Sequence, residues 1–160
     1  MIVVTDTSPL RYLILLGCEE LLPRLYNRVL CPEVVLRECG SPGAPNTVRI
    51  WAAHPPDWLE IFEISQARHR ELEQLDPGER WAIELALKEG ADAVLIDEFA
   101  GRKAARDVGL IAVGTIGILA EAARNGWIDY GETVNRLLGE TNFRVSPGVV
   151  ELGHRHAREK

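Results

Sequence analysis

Cysteine is scarce in this chain: Cys18, Cys31 and Cys39 are the only three in 160 residues. The odd count and the missing CxxC pair argue against a disulfide framework and a thiolate zinc site, and for reduced, mostly buried thiols. Long apolar runs are also missing. No stretch approaches the roughly 18 residues that span a bilayer, and the longest candidate is broken by Arg11 and Gly17. No membrane association is expected. No basic leader precedes the first apolar segment, so no signal peptide is expected and a cytoplasmic location is. Basic excess is absent as well, with a net charge of −6. That balance argues against a broad, non-specific grip on nucleic acid, although a local basic rim around an acidic, cation-filled pocket is compatible with it. The histidines His54, His69, His154 and His156 lack zinc-protease spacing. GxxxxGK[ST], GxGxxG and GxSxG do not occur, so ATPase, dinucleotide-binding and α/β-hydrolase readings have no motif. Trp51, Trp58, Trp81 and Trp127 are not interleaved with basic residues. They read as core or interface residues rather than as a base-stacking platform.

What is present is a chain of one-domain size with 46% hydrophobic residues, enough for a real core. Two segments resemble each other: Ile2-Val3-Val4-Thr5-Asp6 and Ala93-Val94-Leu95-Ile96-Asp97. Each is a short apolar run rich in β-branched residues that ends in aspartate, the pattern of a strand buried on both faces of a parallel sheet. Between and after them the pattern predicts alternating strands and helices. Ser8 is placed to cap a helix with Pro9 at its first helical position, ended by Gly17. Short apolar helices follow near 19–25 and 48–53, with a strand at Arg28–Cys31, a helix from Pro32 to Cys39 and an edge strand within Trp58–Ile64. A short helix is expected at Gln66–Leu75. The clearest helix starts at Asp76-Pro77-Gly78-Glu79 and closes at Gly90. Leu110–Val113 reads as a further buried strand. A last helix from Ser146-Pro147 is expected to fray into a charged tail at His154–Lys160. Alternation at this spacing predicts an α/β fold with a central, mostly parallel sheet and helices on both faces. A single domain over residues 1–150 and a charged tail at 151–160 are expected.

In open α/β sheets the chemistry lies beyond the carboxyl ends of the strands. Asp6 and Asp97 would then converge on one crevice, where carboxylates need a cation and a hard divalent metal is the natural one. Each acid also has a plain structural reading. Asp6 suits a cap or turn. Glu98, beside Asp97, suits the N-terminus of the next helix through the macrodipole. Asp76-x-x-Glu79 is a capping box by type, and on spacing alone the box explains both acids better than a metal does. Glu38, near a helix C-terminus, opposes the dipole there. Arg102, one turn past Asp97, can reach a substrate phosphate or pair with Glu98.

Several of these segments, in order, resemble a known family. Val3-Val4-Thr5-Asp6-Thr7-Ser8-Pro9 resembles the opening of PIN-domain nucleases. Leu75-Asp76-Pro77-Gly78-Glu79 with Ile83-x-Leu85-Ala86 resembles one PIN-like subfamily. So do Leu95-Ile96-Asp97-Glu98-x-x-Gly101-Arg102-x-x-Ala105, Gly114-Thr115-x-Gly117 and Phe143-Arg144-x-Ser146. The resemblance covers roughly residues 1–150. It implies a three-layer α/β/α sandwich that holds Mg²⁺ or Mn²⁺ on acids at the strand ends and cleaves RNA. Many such proteins are toxins of toxin–antitoxin pairs, like the virulence-associated protein C group. Carried residue by residue, the resemblance assigns catalytic acids to Asp6, Glu38, Glu79 and Asp97, with metal ligands drawn from Asp6, Glu79, Asp97 and Glu98. Ser8 and Arg102 are the substrate-binding candidates. An RNA substrate, an antitoxin protein and a second copy of the chain are the expected partners. The rival readings are a metal-dependent phosphohydrolase of a small phosphate ester and a PIN-fold binding module without activity.

Overall fold

The computed structural model describes residues 1–159. Five strands, β1 (Ile2–Thr5), β2 (Arg28–Pro32), β3 (Leu59–Phe62), β4 (Ala93–Leu95) and β5 (Ile111–Val113), form one sheet in the order β3-β2-β1-β4-β5. All of these pairings are parallel. The helices are α1 (Thr7–Leu16), α2 (Leu21–Leu25), α3 (Glu33–Cys39), α4 (Asn46–Ala53), α5 (Pro77–Glu89), α6 (Phe99–Asp107), α7 (Thr115–Arg124), α8 (Tyr130–Glu140) and α9 (Pro147–Arg158).

The period of two along the strands explains the layering. Val3, Val29, Cys31, Ala93 and Leu95 face one side and join a core with α1, α4, α7 and α8. Val4, Leu30 and Val94 face the other side and pack against Ala82, Ile83, Leu85 and Ala86 of α5 and Ala105 of α6. With both faces covered, the central strands read as unbroken apolar runs. The result is the expected three-layer α/β/α sandwich. Cys31 and Cys39 are buried and Cys18 is half-buried, all three free. Burial pushes the Cys39 thiol up to about 12, which makes it a poor nucleophile. No helix among the described residues is long and apolar enough to cross a membrane.

The winding places the two aspartates. The chain lays down β1, β2 and β3 in one direction, then returns to place β4 on the other side of β1. The order therefore reverses between β1 and β4, and in such sheets ligands bind outside the strand ends at that reversal. Thr5 pairs with Leu95, and the Asp6 N–H donates to the Leu95 carbonyl at 2.9 Å. Asp6 and Asp97 thus leave neighbouring strands at the same end of the sheet.

Four expectations are corrected. Ser8 does not cap α1. Asp6 holds the N-cap position with extended backbone (φ −84°, ψ 174°), and the helix starts at Thr7. The strand passes into the helix at Asp6 itself, so Pro9 falls within the first turn, where it costs little. Gln66–Leu75 is not a helix; it holds one 3₁₀ turn, Arg70–Leu72. The backbone N–H groups of Arg68 and His69 donate instead to the buried Glu84 carboxylate, at 2.7 and 3.1 Å. β5 is not a buried strand but a sheet edge, with Ile111 51% exposed. Finally, α9 does not fray at His154 but continues to Arg158. Gly153 lets it press against Ile116 and Tyr130, where any side chain would clash. His154 stacks on Tyr130, and His156 Nε2 lies 2.5 Å from Glu121 Oε2.

Candidate active site

Asp6 is buried where α1 begins. Burial pushes its carboxyl up to about 8; the Thr7 N–H opposes this, and the charges of Asp76, Glu79 and Glu38 reinforce it. A carboxyl surrounded by three others has no reason to ionise unless a cation joins it. Glu38 reaches the same place from α3. The Thr7 hydroxyl donates to Glu38 Oε2 at 2.5 Å, which explains an acid near a helix C-terminus that the dipole disfavours. Gly78 lies between the two: a Cβ there would meet Asp6 Oδ1 at 2.7 Å and Glu38 Oε2 at 3.2 Å. Only glycine leaves this gap open.

Glu79 comes in on α5. The Asp76-x-x-Glu79 box is half formed: the Glu79 N–H donates to Asp76 Oδ1 at 3.0 Å. The Glu79 side chain does not complete the box. Its Oε2 is buried without a hydrogen-bond partner. Burial, with the neighbouring Asp76 carboxylate, pushes Glu79 up to about 7. Gly101 of α6 faces this oxygen, and a Cβ there would stand 2.8 Å from Glu79 Oε2. Two glycines therefore make room for three candidate acids.

Asp97 is arranged differently. The Thr115 N–H donates to its Oδ1 at 2.7 Å and the Thr115 hydroxyl to its Oδ2 at 2.8 Å. Asp97 thereby caps α7, whose own N-cap residue, Gly114, has no side chain to do so. Burial raises the Asp97 carboxyl and the Thr115 bonds oppose it. Glu98 is the exposed N-cap residue of α6 and makes no capping bond. Its charge is nonetheless felt at both Asp97 and Glu79. Arg102 does not ion-pair with Glu98. Its guanidinium lies over Gly114, where a Cβ would meet Nη1 at 2.5 Å and Asp97 Oδ1 at 3.1 Å. Ser8, half-buried, lines a broad groove together with Asp97, Glu98 and Arg102.

A family model described as PIN domain matches residues 2–159. The chain belongs to the PIN-domain family. No curated protein matches it. PIN domains have a nuclease-type fold and are generally nucleases that use divalent metals, which gives the acid cluster its meaning.

Whether the residues of this PIN domain suit such a metal is decided by their chemistry. Among the described residues, no three His, Cys, Asp or Glu side chains stand close enough to form a closed cage. Magnesium does not need one: it keeps several waters and takes one or two carboxylates. Asp6 and Glu38 face one glycine-lined gap, and the unpartnered Glu79 Oε2 is the donor that a hard cation would complete. The donor set fits.

Four residues of the site were not among the sequence-based candidates. Thr7 and Thr115 hold acids by their hydroxyls, and Gly78 and Gly101 clear space for acids. All four fall inside or beside the segments that carry the family resemblance. Nothing in their residue types separates them from ordinary turn and helix residues.

Proposed function

We propose that this PIN domain is a Mg²⁺- or Mn²⁺-dependent ribonuclease that hydrolyses RNA phosphodiester bonds, and that it serves as the toxin of a toxin–antitoxin pair of the virulence-associated protein C type. The observation that carries the reading is the buried, unpartnered Glu79 Oε2 beside an Asp6 that burial holds near neutral.

Asp6, Glu38 and Glu79 would hold the metal, with Asp97 and Glu98 at its rim. When bound, it lowers the pKa of a water and offsets the negative charge that develops on the phosphate. The protein's own share follows from the side chains. Glu79 presents its Oε2, which no donor of the chain meets, beside Gly101 of α6. The Thr7 hydroxyl fixes the orientation of Glu38. Thr115 fixes Asp97, and the N-terminus of α7 beside it favours negative charge. Arg102 presents a planar guanidinium that can take two phosphate oxygens at once.

The test is cleavage of a labelled RNA by purified protein with Mg²⁺ or Mn²⁺, run beside a generic phosphate ester. Cleavage of RNA alone is expected, and Asp6→Asn abolishes it. Turnover of the ester with RNA left intact would replace the nuclease reading by a phosphohydrolase. Persistent RNA cleavage by Asp6→Asn would remove the acid cluster from the mechanism. For the toxin role, expression of the wild-type chain should arrest growth and expression of Asp6→Asn should not.

A further inference from the structure

The C-terminal helix α9 packs chiefly on α7. Its residues Val149, Leu152, Gly153 and His156 form part of the wall of a groove of about 1490 Å³ that Ser8, Asp97 and Glu98 also line. Two kinds of contact hold this wall. The middle of the helix is fixed by packing. Gly153 presses against Ile116 and Tyr130, the Tyr130 hydroxyl donates to the Val150 carbonyl at 2.8 Å, and His154 stacks on the Tyr130 ring. The last turn is held by charge. His156 Nε2 lies 2.5 Å from Glu121 Oε2 of α7, and its Nδ1 lies 3.3 Å from Oε2 of Glu159, just past the helix. An imidazole flanked on both nitrogens by carboxylate oxygens is matched only as the imidazolium. The neutral ring has a single N–H, so one nitrogen would turn a lone pair on a carboxylate.

We propose that His156 is a proton-operated clamp on the groove wall: as the imidazolium it ties the last turn of α9 to α7, and on losing its proton to solvent it lets that turn go and widens the groove. The clamp does not depend on what the groove takes up. The titratable and charged groups on the elements packed here are Glu121 and Arg124 of α7, Glu159 and the Arg155–Glu151 pair of the C-terminal segment, Tyr130 of α8 with His154 stacked on it, and Tyr26 after α2, whose phenol feels Glu121. Between about pH 5 and 8, carboxylates and guanidiniums keep their charge and imidazoles change theirs. Burial pushes the Tyr26 phenol up to about 12 and raises the Tyr130 phenol too, so neither loses its proton in this range. His154 faces an aromatic ring in place of a carboxylate, so its proton does not bear on the α7 contact. Arg124 Nε lies 3.5 Å from the same Glu121 oxygen, which leaves that carboxylate a partner when His156 lets go. The His156 side chain is 41% exposed. Exposure gives its proton a path to water and keeps the effect moderate, because a partly exposed pair is worth little.

The test is amide hydrogen exchange of the full chain, followed by NMR at about pH 6 and about pH 8, with each rate divided by its intrinsic value at that pH. Amides of a terminal turn exchange by local opening, so the readout does not follow the stability of the whole domain. Protection of the amides of residues 154–158 is expected to fall about fivefold from the lower pH to the higher, the scale of one partly exposed ion pair. His156→Gln keeps a hydrogen-bond donor but does not titrate, and it should remove the pH dependence. Glu121→Gln should remove it as well, and His154→Gln should keep it. Equal protection of the wild type at both pH values overturns the clamp, as does a fall that persists in His156→Gln. A fall that persists in Glu121→Gln overturns it too, because the pair with Glu159 inside the C-terminal segment would then be its source. No metal and no RNA enter this measurement. Its failure therefore leaves the ribonuclease reading standing, and absent RNA cleavage leaves the clamp standing.

Discussion

Glu79 and Glu84 lie on the same helix, α5, and are 5% and 3% exposed. Burial raises the cost of charge for both, yet they resolve it in opposite ways. Glu84 is fully engaged. It accepts from the N–H groups of Arg68 and His69, and His69 Nδ1 lies 2.5 Å from its Oε1. Burial pushes its carboxyl up, but these bonds outweigh burial and bring it below the usual glutamate value. Glu79 has one oxygen with no partner at all, and its carboxyl stands near 7. One buried acid is satisfied by the chain and holds a loop; the other keeps an oxygen that no donor of the chain meets. On this helix, hydrogen bonds that do not close are what separate Glu79 from Glu84.

The largest effect expected from this comparison is on activity. Glu79→Gln should lower RNA cleavage by at least about a hundredfold, the scale of losing one electrostatic group at a reacting centre. Its thermal midpoint in EDTA should hold or rise, because a neutral amide suits the pocket better than an unpaired charge. A variant that melts lower while cutting normally would reverse the assignment of the two glutamates.

Next in size is stability. Glu84→Ala leaves the Arg68 and His69 N–H groups without their acceptor. It should cost about 2 kcal/mol, the scale of buried donors left unmade, and lower the melting temperature by about 6 °C. Cleavage per folded molecule should be retained. Loss of cleavage with no change in melting would place Glu84 in the site instead of in the scaffold.

The same contrast gives the two acids opposite pH signatures. Glu84 binds its proton less readily folded than unfolded, so its stabilisation is present above about 4.5 and is lost as pH falls through its lowered folded value. Asp6 and Glu79 bind protons more readily when folded. Their stabilisation is complete below the ordinary values of 3.8 and 4.5 and fades as pH rises through about 8 and about 7. In EDTA the protein should therefore lose stability both on acidification and between roughly pH 5 and 8. Glu84→Gln should shrink the acid limb, and Asp6→Asn with Glu79→Gln should flatten the neutral one. Denaturant midpoints across pH check both limbs; a wild-type curve that rises from pH 5 to 8 would mean that the acid cluster is ionised and already compensated.

How far the sequence disclosed this arrangement depends on the kind of information each residue carries. The α/β/α sandwich was legible because strands buried on both faces write themselves as apolar runs, and α5 was legible because Asp76, Pro77 and Gly90 mark its ends. That Asp6 and Asp97 leave neighbouring strands at one end of the sheet followed from those runs. The division of labour between Glu79 and Glu84 did not, since both are glutamates on one helix and the partners of Glu84 sit in a segment that was expected to be a helix of its own. Glu84 dictates the irregular path of that segment through bonds that no local propensity records. β5 was misplaced for a similar reason: Leu110–Val113 has the composition of a buried strand, while its edge position is set by the end of the chain's winding.

The smallest expected effect concerns Asp97, which stands between the two cases. Both its oxygens take donors from Thr115, as Glu84's take donors from its loop, yet it shares the end of the sheet with Glu79. Thr115→Val keeps the shape and the N–H bond but removes the hydroxyl from Oδ2. The loss should be about 1 kcal/mol of stability, the worth of one hydrogen bond. If Asp97 acts at the rim of the site, cleavage should also fall, with the change in KM for metal rather than in melting temperature, and Thr115→Ser should restore it. If Asp97 only caps α7, both variants should cut RNA as the wild type does once corrected for the folded fraction, and Asp97 would then belong with Glu84.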